Sequence, residues 1–326
     1  MAELNSFVDY FRKKYGARLQ KVVVDAGFTC PNRDGTKGVG GCSFCLNDAF
    51  HPNYCTPDKP LFQQIDEGVE FHTVRYRHAQ RYIAYFQPYS NTYAPVEKLR
   101  ELYATALSHP LIEGIVVGTR PDCVDSGKLD LLQSIQEGTF NYRDYALEGN
   151  ASEEGVSAGG VSEAERKKIV IVEYGIESCY NKTLERIGRG HDFECAVRAV
   201  EETARRGLTQ CAHFIFGLPG ESLREMRDEA RIINSLPVTA VKFHQLQIIR
   251  GTRMEKEFAE RREDFHEFTL DEYLDFMADF IGRLRPDIYI DRFAGEVPPR
   301  FLSPLQKSWG LVRYQELLAM LRKRMK

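Results

Sequence analysis

The stretch Val22-Val23-Val24-Asp25-Ala26-Gly27-Phe28-Thr29-Cys30-Pro31-Asn32-Arg33-Asp34-Gly35-Thr36-Lys37-Gly38-Val39-Gly40-Gly41-Cys42-Ser43-Phe44-Cys45 sets a short buried strand directly before a long loop. Three β-branched residues in a row suit a strand covered on both faces. The residues after them carry three thiols on a glycine-rich backbone. Gly35, Gly38, Gly40 and Gly41 permit the positive φ angles that a tight wrap around one centre needs, and their N–H groups can approach sulfur closely. Three ligands are the informative number. A structural zinc site closes with four protein ligands, whereas a reactive centre keeps one position for an exogenous molecule. A four-iron cluster held by Cys30, Cys42 and Cys45 would leave one iron free to bind a substrate or cofactor. Structural zinc closed by Cys55 or His51 is the other reading of the same residues.

Outward from this loop, apolar runs and helical patterns alternate. Strand candidates after Val22–Val24 are Tyr82–Phe86, Gly114–Val117, Ile169–Val172, Ala212–Phe216 and Ala240–Gln247. Between and after them, helical periodicity marks 61–77, 95–108, 126–136, 192–206, 221–235 and 270–284. Repeated βα units of this kind build a parallel sheet, and six of them can curl into a partial (β/α)6 TIM-like barrel whose ligands sit at the carboxyl ends of the strands. Residues 1–295 form this α/β unit and 296–326 a short C-terminal extension. Glu148–Lys168 has almost no large apolar residue and reads as a mobile insertion, because it cannot offset its ordering entropy by burial.

The composition narrows the classes. With 44 basic and 47 acidic side chains the net charge is −3, so global basicity cannot argue for a nucleic-acid partner, and any such surface must be local. One local candidate lies in the extension from Arg300 to Lys326, where Arg300, Lys307, Arg313, Arg322, Lys323, Arg324 and Lys326 stand against the single acid Glu316. It is a candidate polyanion contact or, alternatively, a solvated helix end. No apolar run reaches membrane-spanning length, so no membrane partner and a cytoplasmic location are expected. In a reducing compartment eight cysteines are not a disulfide framework; Cys179, Cys195 and Cys211 read as small buried residues.

Strand ends carry the remaining candidates. Gln87 closes the second strand before Tyr89-Ser90-Asn91-Thr92. Thr119-Arg120-Pro121-Asp122-Cys123 closes the third, where Arg120 can bind a carboxylate or phosphate bidentately or pair with Asp122. The fourth runs into Glu173-Tyr174-Gly175-Ile176-Glu177-Ser178, followed by Ile187-Gly188-Arg189-Gly190-His191. The fifth leaves the sheet at Gly217-Leu218-Pro219-Gly220-Glu221, a turn that lets backbone pack on a flat ring such as adenine. In the sixth, alternation puts Lys242, His244 and Leu246 on one face. A Lys and a His projecting together into a barrel are poorly explained as packing, and both are candidate catalytic groups, with a core His bonded to backbone as the alternative for His244.

Taken in order, these motifs resemble the radical S-adenosylmethionine (SAM) enzymes, with a widened Cys-x11-Cys-x2-Cys loop, and within them a short bacterial branch similar to the catalytic subunit of Elongator. The likeness runs from about Val22 to Gly295. It implies a [4Fe–4S] cluster on Cys30, Cys42 and Cys45, with Phe44 as the aromatic residue before the third cysteine. It also implies SAM contacts from Gln87, Arg120, Glu177, Arg189, Gly217 and Pro219. Glu177 departs from the commoner Gln, although either side chain accepts hydrogen bonds from ribose hydroxyls. The implied chemistry is reductive SAM cleavage to a 5′-deoxyadenosyl radical, fed by a donor such as flavodoxin or ferredoxin. C5 alkylation of a tRNA wobble uridine is the implied reaction, with the basic extension as a tRNA contact. Radical chemistry on a protein or small metabolite, or a zinc-stabilised binding module without turnover, are the competing functions. About thirty residues follow the barrel pattern, too few to expect Elongator's acetyltransferase domain among them, so the carbon donor is not carried over.

Overall fold

The computed structural model describes residues 4–49, 51–75, 81–145, 166–307, 309–310 and 312–325. Seven strands, β1 (Gln20–Val24), β2 (Tyr82–Phe86), β3 (Ile112–Thr119), β4 (Ile169–Glu177), β5 (Thr209–Phe216), β6 (Ala240–Gln245) and β7 (Tyr289–Arg292), pair in parallel in chain order. The helices are α1 (Phe7–Tyr15), α2 (Leu61–Arg75), α3 (Val96–Leu107), α4 (Ser126–Glu137), α5 (Asn181–Arg186), α6 (Phe193–Arg205), α7 (Leu223–Ser235), α8 (Arg253–Glu260), α9 (Leu270–Arg283) and α10 (Tyr314–Arg324). The sheet curls into a half-barrel, an α/β fold. It has one strand more than the six expected. Tyr289-Ile290-Asp291-Arg292 is short and half polar, so it lacks the apolar run that marks the others. Residues 148–165 of the expected insertion lie outside the described residues.

Strand alternation builds two interiors. Val24, Phe86, Val117, Val172, Phe214 and Phe243 turn outward into the main core beneath the helices. Ile83, Val116, Ile171, Cys211 and Ala240 turn inward and meet Phe7 and Phe11 of α1. That helix stoppers the amino-terminal mouth of the barrel. Ser6 caps it by accepting from the Asp9 N–H, and the Ile290 N–H donates to Asn5 carbonyl at 2.7 Å. The two sheet edges, β1 and β7, are not hydrogen-bonded as strands. Instead Lys21 of β1 reaches Asp291 of β7 at 3.0 Å across the seam.

The C-terminal helix folds back on the body, with Leu317 and Leu321 buried. Its Arg324 pairs with Asp271 and, at 2.7 Å, with Asp275 of α9. One cation of the basic extension is therefore engaged within the chain. No helix among the described residues is long and apolar enough to cross a membrane.

Candidate active site

At the carboxyl ends of the strands a chamber of about 550 Å³ opens into the half-barrel. Cys30, Cys42, Cys45, Phe44, Gln87, Arg120, Glu177, Arg189, Lys242 and His244 all line it. Residues far apart in the chain, from Cys30 to Pro298, meet here because each strand ends at the same rim.

Each thiol of the loop faces a donor. Arg120 Nη1 lies 3.6 Å from Cys30 Sγ, Arg189 Nη1 3.4 Å from Cys42 Sγ, and Arg33 Nη1 4.0 Å from Cys45 Sγ. Asn32 Nδ2 adds a contact of 3.4 Å to Cys42. Cations and N–H donors around sulfur favour thiolates and tune an iron–sulfur centre. Burial pushes the Cys45 thiol up to about 11, with Cys42 adding to the shift and Arg33 opposing it. Gly190 is obligatory beside this wrap: its φ is +73°, and a Cβ there would sit 2.5 Å from Asn32 Oδ1. Asn32 Oδ1 and Arg189 Nε are buried without partners, two polar atoms aimed into the loop's surroundings that its own folding does not satisfy.

This donor set fits an iron–sulfur cluster better than zinc. No three of the His, Cys, Asp and Glu side chains among the described residues come close enough to hold a single ion. Cys55 does not line the chamber. It is buried elsewhere, its thiol pushed up to about 12 by burial and by Asp25.

Arg120 is corrected from a free anion clamp to a held one. It grips Asp122 with Nε–Oδ1 and Nη2–Oδ2 both at 2.8 Å, and Lys37 closes on the same carboxylate at 2.7 Å. Its third nitrogen points to Cys30, so it serves the cysteine loop and leaves no fork for a ligand carboxylate. Ser90, Asn91 and Thr92 are also internal: Asn91 Nδ2 donates to the carbonyls of Phe86, Pro88 and Gly118, and Thr92 bonds Thr119 and the Cys123 carbonyl. From that turn only Gln87 and Tyr89 reach the chamber. Gly217 and Pro219 do not line it. Gly217, at φ +93°, backs onto the His266 carbonyl, 2.9 Å from where a Cβ would stand, so the sharp exit from β5 seats a neighbouring loop.

Glu177 is held unusually. The register between β4 and β5 shifts between Gly175 and Glu177, and Glu177 takes φ +80°, a left-handed conformation that costs on the order of 1–2 kcal/mol outside glycine. Strain of this kind collects at ligand sites. The result sets its carboxylate 3.6 Å from Arg189, which also donates to the Gly175 carbonyl.

The chamber floor is a charged layer that strand-by-strand reading misses. Glu173, fully buried, accepts from Lys21 at 2.5 Å, Tyr85 at 2.7 Å, His213 at 2.9 Å and Lys242 at 3.4 Å. Burial alone would raise its carboxyl, but Lys21, Lys242 and His213 hold it well below the ordinary range. Lys242 is thus tethered, also 3.5 Å from the Tyr85 hydroxyl and 3.8 Å from Asp291. His244 sits above it, where Gly295 leaves room: a Cβ there would meet Nδ1 at 2.7 Å. Burial, with Lys242 and His213 nearby, holds this imidazole well below its ordinary value, so it is neutral at neutral pH. The missed signal was a polar residue at an inward position of otherwise apolar strands: Lys21, Tyr85, Glu173 and His213.

Beside the chamber, Ser178 joins two buried acids, donating to Glu221 at 2.5 Å and lying 3.4 Å from Glu229. Burial raises Glu221 to about 7, and burial plus Glu221 raises Glu229 well above the carboxylate range. Between pH 4.5 and 7 the folded state keeps a proton that the unfolded chain loses, so stability falls as pH rises through that window. Glu229→Gln should raise the melting temperature at pH 8 and flatten its decline between pH 5 and 8, with an effect on the order of 1–3 kcal/mol. Calorimetric melts across that range check this; an unchanged slope would contradict a shared proton.

Comparison with known proteins agrees with this geometry. The family model "Radical SAM superfamily" matches residues 161–233, and "Radical_SAM C-terminal domain" matches 238–326. The chain is 33% identical over 319 residues to protein YhcC of Escherichia coli, covering 97% of this chain and 92% of that one. It is 26% identical over 281 residues to the tRNA uridine(34) acetyltransferase of Methanocaldococcus infernus, covering 77% of this chain and 48% of that protein. In fold it is similar to the Methanocaldococcus infernus Elp3 structure with an N-terminal deletion, at 14% identity and TM-score 0.62, covering 94% of this chain and 62% of that one. The chain belongs to the radical SAM superfamily, and its cofactors are a [4Fe–4S] cluster and SAM.

Proposed function

We propose that this radical SAM enzyme modifies a uridine of transfer RNA, with Cys30, Cys42 and Cys45 as the cluster ligands. The observation that carries the substrate is the relation to a tRNA uridine(34) acetyltransferase across 77% of the chain. When bound, the cluster supplies the electron for reductive cleavage of SAM.

The chain's own residues do the rest. Arg33, Arg120, Arg189 and Asn32 stabilise the three thiolates. Phe44, Gln87, Glu177 and Arg189 line the wall that receives SAM, where Glu177 accepts from ribose hydroxyls and Arg189 faces the carboxylate. The half-barrel and α1 exclude water from below. His244, neutral and buried, accepts a proton or hydrogen bond from the bound substrate, and Lys242 lends a fixed positive charge beside it. Contacts to RNA phosphates come from Arg322, Lys323 and other cations of the extension, and an electron donor of the flavodoxin or ferredoxin class docks near the cysteine loop.

Nucleoside mass spectrometry of tRNA from a strain lacking this gene tests the reading. One modified uridine should vanish while its less modified precursor accumulates. An unchanged profile would contradict it and redirect the search to a protein or small metabolite.

A further inference from the structure

A second cavity, of about 810 Å³, lies on the other side of the β6 end. It shares Gln245, Leu246, Gln247, Glu296 and Pro298 with the active chamber, so one wall separates and connects the two spaces. Its far side is built by the C-terminal segment, from Leu302 to Leu317.

The lining has three chemical parts. His266, Phe268 and Trp309 supply flat faces: the first two rings lie 4.4 Å apart, and Trp309 packs against Tyr273 at 5.1 Å. The Trp309 N–H is tied to the Phe268 carbonyl at 2.8 Å, which fixes the indole in place. Gln247 offers a carboxamide that makes no hydrogen bond among the described residues, at the junction of the two spaces. Lys307 and Arg313 supply positive charge, and neither forms an ion pair among the described residues. The acids of the same wall are engaged: Glu267 pairs with Arg262 at 2.7 Å, and Glu296 accepts from the Tyr314 N–H at 2.6 Å.

Fixed aromatic faces, one amide and unpaired cations together match a planar heteroaromatic ring that carries an anionic group. Amides read the edge of such a ring, aromatic faces stack on it, and a Lys or Arg holds a phosphate. We infer that this cavity binds a nucleotide unit, with the base against Trp309 and the phosphate toward Lys307 and Arg313. Gln247 stands where the unit passes toward His244. The inference rests on the reading of the neighbouring chamber as the active site and deepens it by giving the substrate a place to sit.

Trp309 is the chain's single tryptophan, so its emission reports on this cavity alone and needs neither cluster nor SAM. Uridine 5′-monophosphate titrated into the full-length apo protein should quench that emission saturably. Uridine without phosphate should bind at least fivefold more weakly, as should the nucleotide to the Lys307→Glu variant. Equilibrium dialysis with Gln247→Ala, whose fold is checked by circular dichroism, should show weakened binding without lost structure. A five-nucleotide single-stranded RNA is the second arm: tighter binding than the mononucleotide assigns the site to a strand, and equal or weaker binding assigns it to free nucleotides. No saturable quenching by either ligand would overturn the inference, as would benzoate binding as well as the nucleotide or Lys307→Glu leaving affinity unchanged. Nucleotide binding here with an unaltered tRNA profile would leave this site standing and remove only the tRNA assignment.

Discussion

Cys42→Ala should yield a colourless protein with iron below a tenth of the wild-type content and no detectable SAM cleavage after anaerobic reconstitution. Cys42 is the most heavily contacted thiol of the trio, with Arg189 Nη1 and Asn32 Nδ2 both at 3.4 Å. Two ligands cannot hold a four-iron cube that normally rests on three or four. Removing the sulfur also leaves the buried Arg189 without one of its few partners, the others being the Gly175 carbonyl and Glu177. Cys55→Ala is the matched control. That thiol is buried away from the chamber, so iron content and cleavage should be unchanged. Iron and sulfide analysis, with chromatographic detection of 5′-deoxyadenosine, checks both. Wild-type iron in Cys42→Ala would refute the ligand assignment.

Glu173→Gln should destabilise the fold by about 3–5 kcal/mol, the range for breaking a buried charge cluster from one side. The carboxylate compensates Lys21 and Lys242 and accepts from Tyr85 and His213. Without it, Asp291 alone faces both lysines, at 3.0 and 3.8 Å. The loss spreads to the seam, because Lys21 is the side chain that joins β1 to β7 and the centre of the sheet. Adding Lys242→Met to Glu173→Gln should recover part of the loss by removing a stranded charge, a coupling that a double-mutant cycle measures. Urea midpoints of the four proteins test it; additive effects would show that the floor is not one network.

The sheet was legible wherever both faces of a strand are buried. Tyr82–Phe86 was read to the residue, because five consecutive apolar side chains suit a strand covered on both faces. β7 escaped because Asp291 and Arg292 interrupt it, and Asp291 is inward-facing for a reason found 270 residues earlier, at Lys21. The site divides the same way. The cysteine loop is local, and its spacing alone limits the chemistry. Lys242 and His244 could be picked out as odd inward residues, yet their partners lie on other strands, so sequence could not tell a tethered lysine from a free one. Arg120 left two readings open, and only the bidentate grip on Asp122 decides between them. Gly217 shows the converse: a glycine in a motif suggested a ligand contact, and the structure gives it a packing task against the His266 carbonyl.

The most direct test is electron paramagnetic resonance of the anaerobically purified, dithionite-reduced protein with and without SAM. A fast-relaxing spin-½ signal whose g-values move when SAM is added, in a brown protein with near-stoichiometric iron and sulfide, is the predicted result. A colourless protein carrying zinc, or a cluster signal that SAM leaves unmoved, would contradict a three-thiolate centre with one position open to the cofactor.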